Sequence, residues 1–275
     1  MVSRTAHPRQ HGALAHCMRF ALLALAFNAA TAGASDSASK AATEVIRPAS
    51  AAQAPPPVSL PAGPPRRAEL GQERASPQAA QFADWVVDSR DNQDMPFMII
   101  DKVGARVLMF DPSGRLQGSA AALLGLARGD DSTPGIGERD ISNILPAERT
   151  TPAGRFVASL DRDTRGQELL WVDYNTALAL HRVVKGKPSE QRAQRLDSAT
   201  PADNRVSYGC INVPAAFYDR FVSPAFKTTS GVVYILPETR TAQQVFGSYE
   251  VGHRPAPTAN VMDIRQAESA AATGK

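Results

Sequence analysis

The chain has 275 residues, with 30 Lys and Arg against 27 Asp and Glu, and its content is 43% apolar but only 6% aromatic. Three of the basic residues (Arg4, Arg9, Arg19) fall in the first 34 positions, which hold no Asp or Glu, so the rest carries 27 of each sign. That balance leaves no basic stripe to neutralise phosphates and argues against a nucleic-acid partner.

Residues 1–34 have the three parts of an export signal. The arginines form a positive start, Phe20–Phe27 (FALLALAF) an apolar centre, and Ala30-Thr31-Ala32 or Ala32-Gly33-Ala34 a small-x-small cleavage site. The apolar run is shorter than the roughly 20 residues a bilayer span requires. The expectation is therefore an exported protein of the periplasm or cell envelope, with no stable membrane span once the signal is cleaved. The 241 residues beyond position 34 suffice for one sizeable core plus tails.

Residues 35–78 are rich in Ala, Pro and Ser, include Pro55-Pro56-Pro57, and read as a disordered linker. The catalytic domain is expected over 79–247. Ala80–Ser89 has helical spacing of Phe82, Trp85 and Val86. Pro96–Asp101 and Arg106–Asp111 read as a β-hairpin, followed by the turn Asp111-Pro112-Ser113-Gly114. Leu116–Leu124 reads as a strand, and a Gly/Asp-rich stretch from Gly125 opens a long loop through Arg149. Val157–Leu160 is a further strand, and Leu169–Tyr174 with Thr176–Val184 form a hairpin turning at Asn175. Lys185–Arg205 is charged, lacks a steady period and reads as an inserted loop. Asn212 is placed as a helix cap with Pro214 in the first turn of Pro214–Val222, and Gly231–Leu236 is a closing strand. Residues 248–275, including His253, read as a disordered tail. The fold is thus mostly β with one or two helices.

The chemistry centres on Ser207-Tyr208-Gly209-Cys210-Ile211-Asn212. Cys210 is the one cysteine outside the leader, so in an oxidising compartment it has no internal disulfide partner and is either inert or a nucleophile. A nucleophilic thiol needs help to ionise, from an imidazole, a helix N-terminus, or both. The helix after Asn212 is expected to bring its positive end near the sulfur. Gly209 lets the backbone N–H groups of Gly209 and Cys210 face a developing oxyanion. The candidate bases are His181, at the end of a strand, and His253, in the expected tail, since His7, His11 and His16 lie in the expected leader. One cysteine and two scattered histidines give no metal-ligand spacing, so neither a metal nor another cofactor is expected.

The segment Ser207–Asn212 resembles the signature of YkuD-type L,D-transpeptidases, Ser/Thr-His-Gly-Cys followed by an apolar residue and Arg or Asn. Thr151-Pro152-Ala153-Gly154-Arg155-Phe156 is similar to that family's Thr-Pro-x-Gly-x-Phe element, and Leu178–His181 to the strand ending in its histidine. The resemblance spans roughly residues 94–238. It implies a YkuD-like β-sandwich catalytic domain acting on peptidoglycan stem peptides through a thioester. Cys210 is then the nucleophile and His181 the general base and acid. Ser207, Tyr208 and Gly209 shape the oxyanion hole, and Asn212 supports the turn or touches substrate. Tyr208 stands where the family has histidine, and Tyr cannot titrate near neutrality, so proton transfer falls on His181 alone. Arg182 replaces a usual Gly or Ser. Hydrolysis of the same peptides, and a non-catalytic wall-binding module of the same fold, are the alternatives.

Overall fold

The computed structural model describes residues 63–73 and 75–254. The expected export signal, most of the expected linker and the end of the expected tail lie outside the described residues. The fold is mostly β, as expected. Eight strands form one sheet in the order β3-β2-β1-β10-β5-β6-β7-β9. They are β1 (Phe97–Asp101), β2 (Arg106–Phe110), β3 (Leu116–Ala121), β5 (Gly154–Arg162), β6 (Glu168–Asp173), β7 (Leu178–Arg182), β9 (Ile211–Val213) and β10 (Gly231–Ile235). A second sheet pairs β4 (Leu124–Gly125) with β8 (Arg205–Ser207). Neighbours in the large sheet run antiparallel except β1 with β10 and β7 with β9.

Alternation along the central strands builds two cores on opposite faces. Phe97, Ile99, Leu108, Phe110, Val232 and Tyr234 pack against the helix α1 (Pro77–Ser89) through Phe82, Trp85 and Val86. Met98, Ile100, Val107, Met109, Val233 and Ile235 face the other way, where they share one core with Leu170, Leu180, Ile211 and Val213. Residues from both halves of the sheet therefore enclose a single interior, as in a sandwich. The helical stretch 215–226 closes that interior through Phe217, Val222 and Phe226. It consists of α3 (Ala215–Phe217), a π turn (Tyr218–Val222) and α4 (Ser223–Phe226).

The helix α1 begins three residues before the expected Ala80, because Ser76 caps it by accepting from Ala79 N at 3.1 Å and Pro77 occupies its first position. The expected strand Leu116–Leu124 breaks after Ala121, and its end joins the second sheet. The segment 185–205, read as an inserted loop, carries two 3-10 turns (Pro188–Glu190, Pro201–Asn204) and a short helix, α2 (Arg192–Leu196).

The packed chain also runs past both expected boundaries, 79 and 247. Two acidic residues on α1 explain this. Asp84 accepts from Ala68 N at 3.0 Å and pairs with Arg67 at 2.6 Å. Asp88, 1% exposed, accepts from Arg66 N at 2.9 Å, from the Tyr249 hydroxyl at 2.7 Å and from Arg254. Segments without an apolar pattern are thus held by charged hydrogen bonds, worth about 1.5–3 kcal/mol each.

Among the described residues no helix is long and apolar enough to cross a membrane. Burial alone raises the Asp88 pKa, but the bonds from Arg66 N–H, Tyr249 and Arg254 outweigh it and hold the carboxyl below its ordinary 3.8. A lowered folded pKa gives stability that is present above the unfolded value and lost as pH falls through the folded one. Asp88→Asn is therefore expected to lower unfolding free energy at neutral pH by about 1–3 kcal/mol. The gap to wild type should narrow only below about pH 4. Urea melts across a pH series check both.

Candidate active site

Cys210 and His181 come to the same region of the sheet because β9 lies parallel to β7. The register pairs Leu180 with Ile211 and His181 with Asn212. Side chains two apart share a face of a strand, so His181, Asn212 and the residue entering β9, Cys210, come to one side. Cys210 is half-buried, and it lines the same cavity of about 650 Å³ as His181, Tyr208 and Gly209. The long loop after β4 also lines it, through Ile136, Ile141 and Ile144.

The turn that presents Cys210 is held from within. Ser207 Oγ accepts from Gly209 N at 3.1 Å and donates to Cys210 O at 2.6 Å. Gly209 adopts φ +131°, and a Cβ there would lie 2.8 Å from Thr150 O, so only glycine fits without strain. Behind the turn, Thr151 Oγ1 donates to Gly209 O at 2.7 Å and accepts from Gly125 N at 2.8 Å. The Gly209–Cys210 peptide is trans, so with its carbonyl on Thr151 its N–H points the other way.

Thr151 is itself anchored by a buried charge network. Lys102 Nζ donates to Thr151 O at 3.0 Å, to Gly129 O at 2.6 Å and to Asp130 at 2.8 Å. Asp130 also accepts from the backbone N–H groups of Glu238, Thr239 and Arg240. Arg205, at the start of β8, pairs with Glu238 at 2.6 Å. Burial would raise the Asp130 pKa, but Lys102, Thr239 and these N–H groups drive it far below the usual carboxylate range.

The His181 ring is fixed on both edges. Nδ1 lies 2.8 Å from Arg182 O, and Nε2 lies 3.5 Å from Asn212 Nδ2. A carbonyl accepts only, so Nδ1 carries the hydrogen and Nε2 the lone pair. Burial pushes the His181 pKa below its ordinary 6.5. The Arg182 carbonyl opposes the shift, Arg192 reinforces it and Asp163 opposes it. The thiol donates to Ala177 O at 3.6 Å, and Ala177 sits at φ +52° in the tight β6–β7 turn. Burial thus favours the neutral imidazole, and the thiol rests on a backbone carbonyl.

Of the residues picked from the sequence, Cys210, His181, Tyr208 and Gly209 line the cavity, while Ser207 acts on the backbone beneath it. Three expectations need correction. Asn212 does not cap a helix: it is a buried residue of β9, directed at His181, Cys210 O and Arg192, and Pro214 takes the cap position. The helix therefore starts beyond a strand that leads away from the sulfur, and its positive end is not set beside Cys210 as expected. Gly209 N–H is bound to Ser207 rather than facing the cavity, which leaves Cys210 N–H alone of the expected pair.

Several contributors had no role assigned from sequence. Thr151 stood in a recognised element, but its bond to Gly209 joins residues 58 apart. Arg192 donates to Asn212 Oδ1 at 2.6 Å from a segment without pattern. Arg149 stacks its guanidinium 3.9 Å above the Tyr208 ring. Arg182, the other departure, pairs with Asp219 and covers Tyr218 at 4.1 Å. Among the described residues no three His, Cys, Asp or Glu side chains gather as metal ligands would.

No family model matches the chain, and no curated protein matches it. Among solved structures it is similar to the catalytic domain of an L,D-transpeptidase from E. faecium, at 14% identity and a TM-score of 0.29 over 52% of this chain and 98% of that one. It is also similar to residues 123–326 of the L,D-transpeptidase from Xylanimonas cellulosilytica, at 13% identity and a TM-score of 0.31, over 64% and 98%. At these values neither likeness bears on activity or substrate.

Thr151→Val keeps the shape but leaves Gly209 O and Gly125 N without their buried partner. The variant is expected to lose about 1–3 kcal/mol of unfolding free energy. Chemical denaturation checks this, and unchanged stability would show that the cysteine turn is held by other means.

Proposed function

We propose that the protein is an exported cysteine acyltransferase acting on peptidoglycan stem peptides, an L,D-transpeptidase in reaction type. The observation that carries this reading is that His181 and Cys210 line a single cavity. The Ser207–Asn212 and Thr151–Phe156 elements support the choice of peptide substrate.

The groups suffice for a balanced cycle. The Cys210 thiol proton passes to His181 Nε2 as sulfur attacks the acyl carbonyl carbon of the stem. The Cys210 N–H, directed away from Thr151, stabilises the oxyanion. Collapse breaks the C–N bond, and the imidazolium returns its proton to the departing amine of the terminal residue. The thioester then passes to an amine of a second stem, whose proton returns through His181 and restores the thiol. Water as acceptor makes the same machinery an L,D-carboxypeptidase. The periplasm or cell envelope is the compartment this reading requires. It needs no cofactor.

Cys210→Ala is expected to abolish turnover of a stem tetrapeptide with the fold intact, and retained turnover would refute the proposal. A carbapenem, which offers a strained acyl group, should leave a covalent adduct on Cys210 detectable by intact mass and absent from Cys210→Ala.

The pH dependence follows from His181. The base acts when neutral, and its pKa is lowered, so the neutral form persists to lower pH than for an ordinary histidine. The acidic limb of kcat/KM is expected below 6.5, with activity held through mildly acidic conditions.

A further inference from the structure

We propose that Arg192, brought to the site by the segment 185–205, is a positioning residue that sets the tautomer and protonation state of His181 through the Asn212 side-chain amide. The inference rests on the reading above, in which His181 is the base and acid.

The argument is one of hydrogen-bond polarity. A guanidinium has only N–H donors, so the Asn212 atom that it touches at 2.6 Å is the carbonyl oxygen Oδ1. That orientation sends the amide nitrogen, a donor, toward His181 Nε2 at 3.5 Å and Cys210 O at 3.3 Å. A donor facing Nε2 is satisfied only by a lone pair. At the opposite edge, the Arg182 carbonyl at 2.8 Å is satisfied only by Nδ1–H. Polarity runs unbroken from Arg192 to the ring, and the neutral Nδ1–H imidazole alone fits both ends. Protonating Nε2 sets two donors face to face. Asn212 cannot turn its oxygen over to relieve this without abandoning Arg192.

Arg192 is held well enough to impose that choice. Its side chain is 10% exposed and donates from Nε to Glu190 at 2.7 Å. Gly186, at φ +62°, leaves room for the pair: a Cβ there would lie 2.2 Å from Glu190 Oε2 and 2.7 Å from Arg192 Nε. Arg195 fastens the same segment by donating to Glu190 O at 2.7 Å. Asn212 is 1% exposed, and its backbone is bridged to Leu123 in both directions.

Charged and titratable groups from several elements act on the ring or line its cavity, Arg139 and Tyr208 among them. Arg192 comes from α2, Asp163 and Arg165 from the β5–β6 turn, Glu168 from β6, Arg182 from β7 and Cys210 from the turn before β9. Burial and Arg192 both press toward the neutral ring, against Asp163 and the Arg182 carbonyl. An imidazolium formed during acylation is thereby disfavoured and becomes a ready acid toward the departing amine. The segment 185–205 thus acts on proton transfer from the side of the sheet edge, through Asn212.

The test is a pH titration of the histidine ring nitrogens by NMR in the 15N-labelled full chain, with the His181 signals identified by their loss in His181→Gln. Wild type is expected to show the Nδ1–H tautomer and a pKa below 6.5. In Arg192→Ala the pKa should rise, with both tautomers populated. Arg192→Gln, milder for folding, removes the charge and the donor-only polarity and should move the ring in the same direction. An unchanged tautomer and pKa in either folded variant overturns the inference. The spectra are read without turnover. A wild-type protein with the expected ring state but no activity on stem peptides therefore sinks the acyltransfer reading alone. Full activity with an unaltered ring in Arg192→Gln sinks the positioning role alone.

Discussion

The register of β9 against β7 is the constraint on which the site depends. Pairing His181 with Asn212 places the imidazole, the amide and the preceding cysteine on one face at the end of the sheet. A slip of one residue would turn Asn212 and Cys210 to the opposite face, because side chains alternate. The strand that carries this burden has three residues, too few to hold its own register. It is flanked by aids: the double backbone bridge between Asn212 and Leu123, burial of Ile211 and Val213 in the core, and the bond of Val183 N to Val213 O.

Behind that edge lies a second layer built on buried charge. Lys102 and Asp130 are both fully shielded from solvent, which is expensive unless every polar atom finds a partner. Here the ammonium has two carbonyls and a carboxylate, and Asp130 has three backbone N–H groups and a hydroxyl as well. The arrangement joins the β1–β2 turn, the loop after β4, the start of β5 and the chain beyond β10. Apolar packing could fill the same space, but it would not aim the Thr151 hydroxyl at Gly209. The orientation of the cysteine turn is thus tied to a network whose members are spread across the chain.

The two departures from the resembled pattern also have physical roles. Tyr208 keeps a flat ring on the cavity wall and gains a guanidinium lid from Arg149, so its contribution is shape and packing rather than titration. Arg182 turns its side chain to Asp219, Glu168 and Tyr218 and tethers the helical stretch 215–226 to the end of β7. Its backbone carbonyl, which any residue supplies, is what orients the imidazole.

Much was legible from residue types alone. Short apolar runs marked β1, β2, β6, β7 and β10, and the spacing of Phe82, Trp85 and Val86 marked α1, because each signal is local. The lone cysteine and the strand-end histidine stood out because the chain outside the expected leader offers no other complement near a predicted element. What the sequence could not reveal is polar and remote. The clamp of Asp88 on both flanking segments, the bond of Thr151 to Gly209 and the reach of Arg192 to Asn212 leave no periodic trace. Asn212 illustrates the limit: its type suits a helix cap, and only the pairing of β9 with β7 gives it a ring nitrogen and a guanidinium instead. The sequence by itself determined which elements form and which atoms can do chemistry. The tertiary structure decided which of those atoms meet and which hydrogen-bond direction each must take, since both depend on partners tens of residues away.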